Sequence, residues 1–144
     1  MKVAVVLIVL LATATFCPWH SEMTARVNGQ TRVDEKEART PAQRKIDSQL
    51  LYAIYQMRGE AEAKGVPTEP VVLRRDEKKR VLVDIRSEVT TKLTSLLKRT
   101  GSKIVSVAAK DRSVMAYVPL NKLERIADLK EVQFISQPAE ATTN

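Results

Sequence analysis

The chain has 144 residues, 44% hydrophobic, 28% charged and 4% aromatic, which is enough for one domain and little more. Basic residues number 24 against 17 acidic ones, and the formal +7 sits in one stretch, because residues 74–112 hold 12 basic and 5 acidic side chains while the rest balances. A single Cys and a single His exclude a tetrahedral Cys/His zinc site and an internal disulfide framework.

Met1-Lys2 is followed by ten apolar residues, Val3 to Ala12, and then by Ala12-Thr13-Ala14 in an A-x-A pattern. A short positive end, an apolar run of this length and small residues after it predict a secretory signal peptide within 1–21. Cleavage is expected after Ala14 or a few residues on, towards Ser21. A membrane span takes about 20 apolar residues, and this run is broken at Thr13, Thr15, Pro18 and His20, so no stable span is expected and uncleaved anchoring is the alternative. Cys17 follows Phe16, where a lipobox needs Gly or Ala, so it reads as incidental. The mature protein is expected outside the cytoplasm, secreted or periplasmic, and its lack of disulfides suits a bacterial envelope or medium.

Residues 22–43 are polar with alternating charges such as Asp34-Glu35-Lys36-Glu37, and this composition predicts a disordered leader. Across 44–63, Ile46, Leu50, Leu51, Ile54 and Met57 form the stripe of an amphipathic helix, with Tyr52 and Tyr55 on its flanks and a stop near Gly65-Val66-Pro67. A connector follows to residue 77, with a short extended piece at Val71-Val72-Leu73 and the basic run Arg74 to Lys79.

From residue 78 to 137 the hydrophobic period alternates between that of a strand and that of a helix. Val81 to Arg86 is a strand with Val81, Val83 and Ile85 on one face, and Ser87 to Thr100 is a helix carrying Val89, Leu93, Leu96 and Leu97, stopped by Gly101. Lys103 to Lys110 and Val114 to Val118 pair as a hairpin through Asp111-Arg112-Ser113. Asn121, with Glu124 three residues on, has capping-box spacing and opens a helix with Leu123, Ile126 and Ala127 inward. Val132 to Ser136 is the last strand, and residues 138–144 form an extended tail.

This order, strand-helix-strand-strand-helix-strand, predicts an α+β fold of the ferredoxin-like split βαβ type: a four-stranded antiparallel sheet with two helices on one face, preceded by an extra helix. By alternation the open face presents Leu82, Asp84, Arg86, Ser106, Ala108, Met115, Tyr117 and one of Phe134 or Ile135. The alternative is that the 44–63 helix covers that face with its own stripe.

No catalytic constellation is legible. The only imidazole is His20, in the leader region, and the four glycines form no phosphate loop. Asp84 and Glu88 read as solvated carboxylates, so no catalytic residue, metal or cofactor is expected. The basic block on a split βαβ pattern suggests RNA-recognition modules, but those stack bases on strand aromatics, and here only Tyr117 and Phe134 are available. No nucleic-acid partner is expected.

The run Arg80-Val81-Leu82-Val83-Asp84-Ile85, the helix with Leu93, Leu96, Leu97 and Gly101, the segment Val114 to Leu120, then Leu123 to Ala127, and Val132-Gln133-Phe134-Ile135 resemble the N-terminal prodomain of subtilisin-like serine proteases. Lys45-Ile46-Asp47 with Leu50-Leu51 is similar to the helix that precedes this module in bacterial precursors. The resemblance covers about 60 residues by pattern. It implies a non-enzymatic, free-standing protease inhibitor or folding chaperone, monomeric when free, whose open sheet face packs on a subtilisin-like protease and whose tail enters the cleft as a product does. The implied contact residues are Leu82, Ala108, Met115 and Tyr117 on the sheet and Gln137, Pro138, Ala139, Glu140, Ala141, Thr142, Thr143 and Asn144 in the tail. Asn144, or a residue just before it, is expected in the primary specificity pocket and Ala141 three subsites back. The alternatives are an envelope-associated, polyanion-binding domain, or the front part of a protease precursor.

Overall fold

Four short apolar runs form the sheet in the computed structural model, which describes residues 34–139. The expected signal peptide at 1–21, the leader as far as residue 33, and tail residues Glu140, Ala141, Thr142, Thr143 and Asn144 lie outside the described residues. The elements are a 3-10 turn at Gln43–Lys45, α1 at Ser48–Arg58, β1 at Val81–Ser87, α2 at Thr91–Arg99, β2 at Lys103–Ala108, β3 at Ser113–Val118, a 3-10 turn at Leu120–Lys122, α3 at Leu123–Ala127 and β4 at Val132–Ser136. The sheet order is β2-β3-β1-β4 and every neighbouring pair is antiparallel, as the ferredoxin-like arrangement requires.

Alternation decides which face is buried. The register Val81↔Val118, Val83↔Ala116 and Ile85↔Val114, continued by Ile85↔Ile135, stacks β-branched and small side chains on one face, all of them fully buried. The same core takes Leu93, Leu96 and Leu97 from α2, Leu123, Ile126 and Ala127 from α3, and Leu50, Leu51 and Ile54 from α1. All three helices therefore cover one face, and α1 does not lie on the open one. Ile135 belongs to the core, and Phe134 is the residue that β4 turns to the open side, opposite Arg86.

The helix boundaries differ from the periodicity for identifiable reasons. α2 starts four residues later than the apolar stripe suggests, because the Thr90 hydroxyl accepts from the Leu93 amide and caps it there. It ends before Gly101, whose φ of +77° is a left-handed conformation that glycine adopts without strain. α1 stops at Gly59, φ +72°, well short of Gly65. Its buried set is correspondingly shifted: Tyr55, expected on a flank, is fully buried, and Met57, expected in the stripe, is 51% exposed. The Asn121 capping box does not form. α3 begins after the 3-10 turn with no side-chain cap, and the Glu124 carboxylate is taken by Gln43 Nε2 at 2.7 Å and by the Arg58 guanidinium. Burial pushes the Glu124 carboxyl up, but these two donors outweigh it and hold the group below its ordinary range.

Residues 34–43 fall in the stretch that composition marks as disordered, yet they fold back onto α1. Glu35 and Arg39 form a bidentate pair at 2.7 and 2.8 Å, Arg39 also donates to the Ser48 hydroxyl at 3.1 Å, and the Tyr55 hydroxyl donates to Glu35 at 3.3 Å. The two charged side chains are each only 9% exposed, and their pairing offsets a desolvation cost that neither could bear alone. Composition averages over the segment and misses this specific pairing.

Burial, reinforced by the Glu35 carboxylate, raises the Tyr55 phenol from 10.0 to about 12. The fold favours the neutral phenol, so its stabilising contribution is complete below pH 10.0 and is lost as the pH climbs through about 12. Urea unfolding followed across that interval is expected to show stability falling with pH, and Tyr55→Phe is expected to flatten the fall. An equal slope in the variant would assign the effect to other groups.

Candidate partner-binding face

The helix-free face is organised in three rows across the sheet. Lys103, Tyr117 and Leu82 form the first, Ser106, Met115, Asp84 and Ser136 the second, and Ala108, Ser113, Arg86 and Phe134 the third. The apolar side chains of the middle strands, Leu82, Tyr117 and Met115, thus lie in the first two rows, and Asp84, Arg86 and Ser113 make the remainder of those strands polar. Asp84 is held in place by the Ser113 hydroxyl, which donates to its carboxylate across the sheet.

At the first row the connector joins the sheet. β4 pairs with β1 only as far as Ser136↔Asp84, and continuing that register would set Pro138 opposite Leu82. Proline has no N–H to give the Leu82 carbonyl, so it does not extend the ladder. The Leu82 amide donates to the connector, at the Arg74 carbonyl, at 2.9 Å, and Arg75 bridges Val81. The Asp76–Lys79 turn that makes this possible is fixed by Asp76, whose carboxylate accepts from the Lys78 and Arg80 amides and from the Arg80 guanidinium. The Arg80 hydrogen bond holds the Asp76 carboxyl below its ordinary range.

Between the connector and the departing tail lies a groove of about 740 Å³. Leu82 and Met115 face it from the sheet, Val72, Leu73 and Arg74 form one wall, and Gln137, Pro138 and Ala139 the other. Gln137 is anchored by a 2.8 Å bond from its Nε2 to Gln49 Oε1, so the tail leaves the sheet from a fixed point.

The structure therefore brings together five of the expected contact residues: Leu82, Met115, Gln137, Pro138 and Ala139. Leu82 needs correction in one respect. It is 5% exposed and forms the groove floor, because the connector covers the start of β1. Tyr117 is adjacent to it on the same row and half-buried, while Ala108 stands apart, in the third row on the edge strand. The connector wall was not legible as part of the face. Its signal was the apolar run Val71-Val72-Leu73, in which Val72 is 92% exposed, an exposure that periodicity cannot reveal.

Among the described residues no group of three or more His, Cys, Asp or Glu could hold a metal ion, and no helix is long and apolar enough to cross a membrane. Compared with family models, curated proteins and solved structures, the chain finds no match.

Proposed function

We propose that this chain is an exported, non-catalytic binding protein that inhibits a subtilisin-like serine protease, and assists its folding, through the helix-free sheet face and the tail that leaves it. The observation that carries this reading is the groove, where apolar Leu82 and Met115, the exposed Val72 and the first residues of the tail converge on one surface. A protein partner seated there buries Val72, Met115 and Tyr117 at the centre of the contact, over the already buried Leu82, where binding energy concentrates. Met115 adapts its unbranched side chain to the partner's relief. The tail, held at Gln137, leaves from the same surface, and in this reading its further residues run extended into a cleft and pair their backbone with the cleft edges.

The test is titration of residues 22–144 into a panel of subtilisin-like proteases, beside a form ending at Ser136. Inhibition is expected from the longer form. Removing the tail is expected to weaken it by about ten- to a hundredfold, which is roughly 1.4–2.8 kcal/mol of lost contact. Equal inhibition by both forms would refute the product-like tail, and no inhibition of any member would refute the proposal itself.

A further inference from the structure

The basic block of the sequence becomes a spatial cluster at one end of the sheet. β1 starts there, β3 ends there and β2 starts there, as Val81↔Val118 and Lys103↔Tyr117 require. The connector turn and the C-terminus of α2 meet at the same end, tied by a 2.9 Å bond from Arg80 to the Gly101 carbonyl. This end gathers Arg74 and Arg80 together with Arg75, Lys78, Lys79, Lys98, Arg99 and Lys103, and the segments 74–80 and 98–103 that carry them hold two acidic residues, Asp76 and Glu77. Of these cations only Arg80, held by Asp76, has an ion-pair partner among the described residues. The rest are exposed, and a concavity of about 460 Å³ opens between Arg75, Lys78 and Lys79 on one side and Pro119 to Asn121 on the other.

We propose that this basic end binds a linear phosphate-bearing polymer. Like charges gathered without counter-charges repel one another, and a polyanion relieves that repulsion while releasing its condensed counterions. The cations come from three segments and sit on long flexible side chains, so they suit a chain of closely spaced charges better than a single small anion. An extended acidic peptide fits less well, because successive side chains point to opposite faces and half of its carboxylates turn away. Among the described residues no aromatic side chain lines the concavity, and Tyr117, beside Lys103, stands on the sheet face, so the polymer is read at the concavity by its phosphates.

Binding of the full chain to inorganic polyphosphate is the direct measurement, with orthophosphate and poly-glutamate as competitors. The logarithm of the affinity is expected to fall against the logarithm of salt concentration with a slope of about −4, the value for about six neutralised charges on a single flexible strand. The triple variant Lys78→Glu, Lys98→Glu, Arg99→Glu is expected to lose tenfold or more. A control with the same net charge, Lys110→Glu, Arg112→Glu, Lys130→Glu, exposed and at the other end of the sheet, is expected to lose less than threefold. Lys79→Gly separates binding from folding: Lys79 has φ +59°, so glycine relieves the backbone and raises the unfolding midpoint while the lost charge lowers affinity two- to threefold. Equal losses in the two triple variants, competition by poly-glutamate at matched charge, or displacement by micromolar orthophosphate would each overturn the proposal.

Discussion

A chain that starts at Val66 is expected to remain unfolded in water at 25 °C, even though it keeps every strand and both helices of the βαββαβ unit. The missing part supplies Ile46, Leu50, Leu51, Ile54 and Tyr55, each at most 1% exposed and all in the core shared with the sheet. Burying a large apolar side chain contributes about 1.5–3 kcal/mol, so the set is worth about 10 kcal/mol, comparable with the whole stability of an ordinary domain. The loss extends to the sheet edge. Ile46 bridges Ile135 and the Asp47 amide donates to the Ile135 carbonyl at 2.8 Å, so removing them uncovers the outer edge of β4 and invites strand pairing between molecules. Far-ultraviolet circular dichroism and limited proteolysis of the shortened chain give the answer. Recovery of structure on adding a peptide of residues 34–60 would identify the missing contacts as the cause. A shortened chain that melts cooperatively by itself would show instead that the unit from residue 78 onwards is autonomous.

That expectation also marks where the sequence was readable. The strands were legible because β3 alternates strictly and β1 does so apart from Leu82, which the connector buries, so that Val81, Val83 and Ile85 could be assigned to the core without knowing their partners. The architecture followed from the order strand-helix-strand-strand-helix-strand, which is that of the split βαβ unit, and the observed order β2-β3-β1-β4 is compatible with it. What escaped were the decisions made by single long-range polar contacts. Glu124 had the right spacing to cap its own helix, and the competing donors, Gln43 and Arg58, lie 81 and 66 residues away. Glu35 and Arg39 looked like solvated charges because their burial depends on Tyr55 and Ser48 from α1. The groove was half legible in the same sense. Its floor came from strand alternation, whereas its connector wall is held by the bond from the Leu82 amide to the Arg74 carbonyl, a backbone contact that no side-chain pattern reveals.

Two neighbouring residues of β3 are expected to give opposite outcomes when each is replaced by aspartate. Ala116 faces the core from the centre of the sheet, opposite Val83 on β1 and Ile104 on β2, and is fully buried. Aspartate there adds volume to a packed interior and leaves a carboxylate without a partner, a combination that costs several kcal/mol even when the group takes up a proton. Ala116→Asp should therefore unfold the domain at 25 °C or lower its midpoint by well over 10 °C. Tyr117 points the other way, between Lys103 and Leu82 on the open face, where an introduced carboxylate meets water and a lysine. Tyr117→Asp should leave the midpoint within a few degrees, because substitutions outside the core commonly change stability by less than about 1 kcal/mol. Its effect belongs to the partner: a charge at the centre of a buried contact should weaken protease inhibition by a hundredfold or more, about 2.7 kcal/mol. Thermal melting and inhibition assays on the two variants separate the cases. If Tyr117→Asp inhibits as well as the parent while remaining folded, the open face is not the docking surface. If Ala116→Asp melts normally, the assignment of the two faces is inverted, and the groove between the connector and the tail cannot hold the partner.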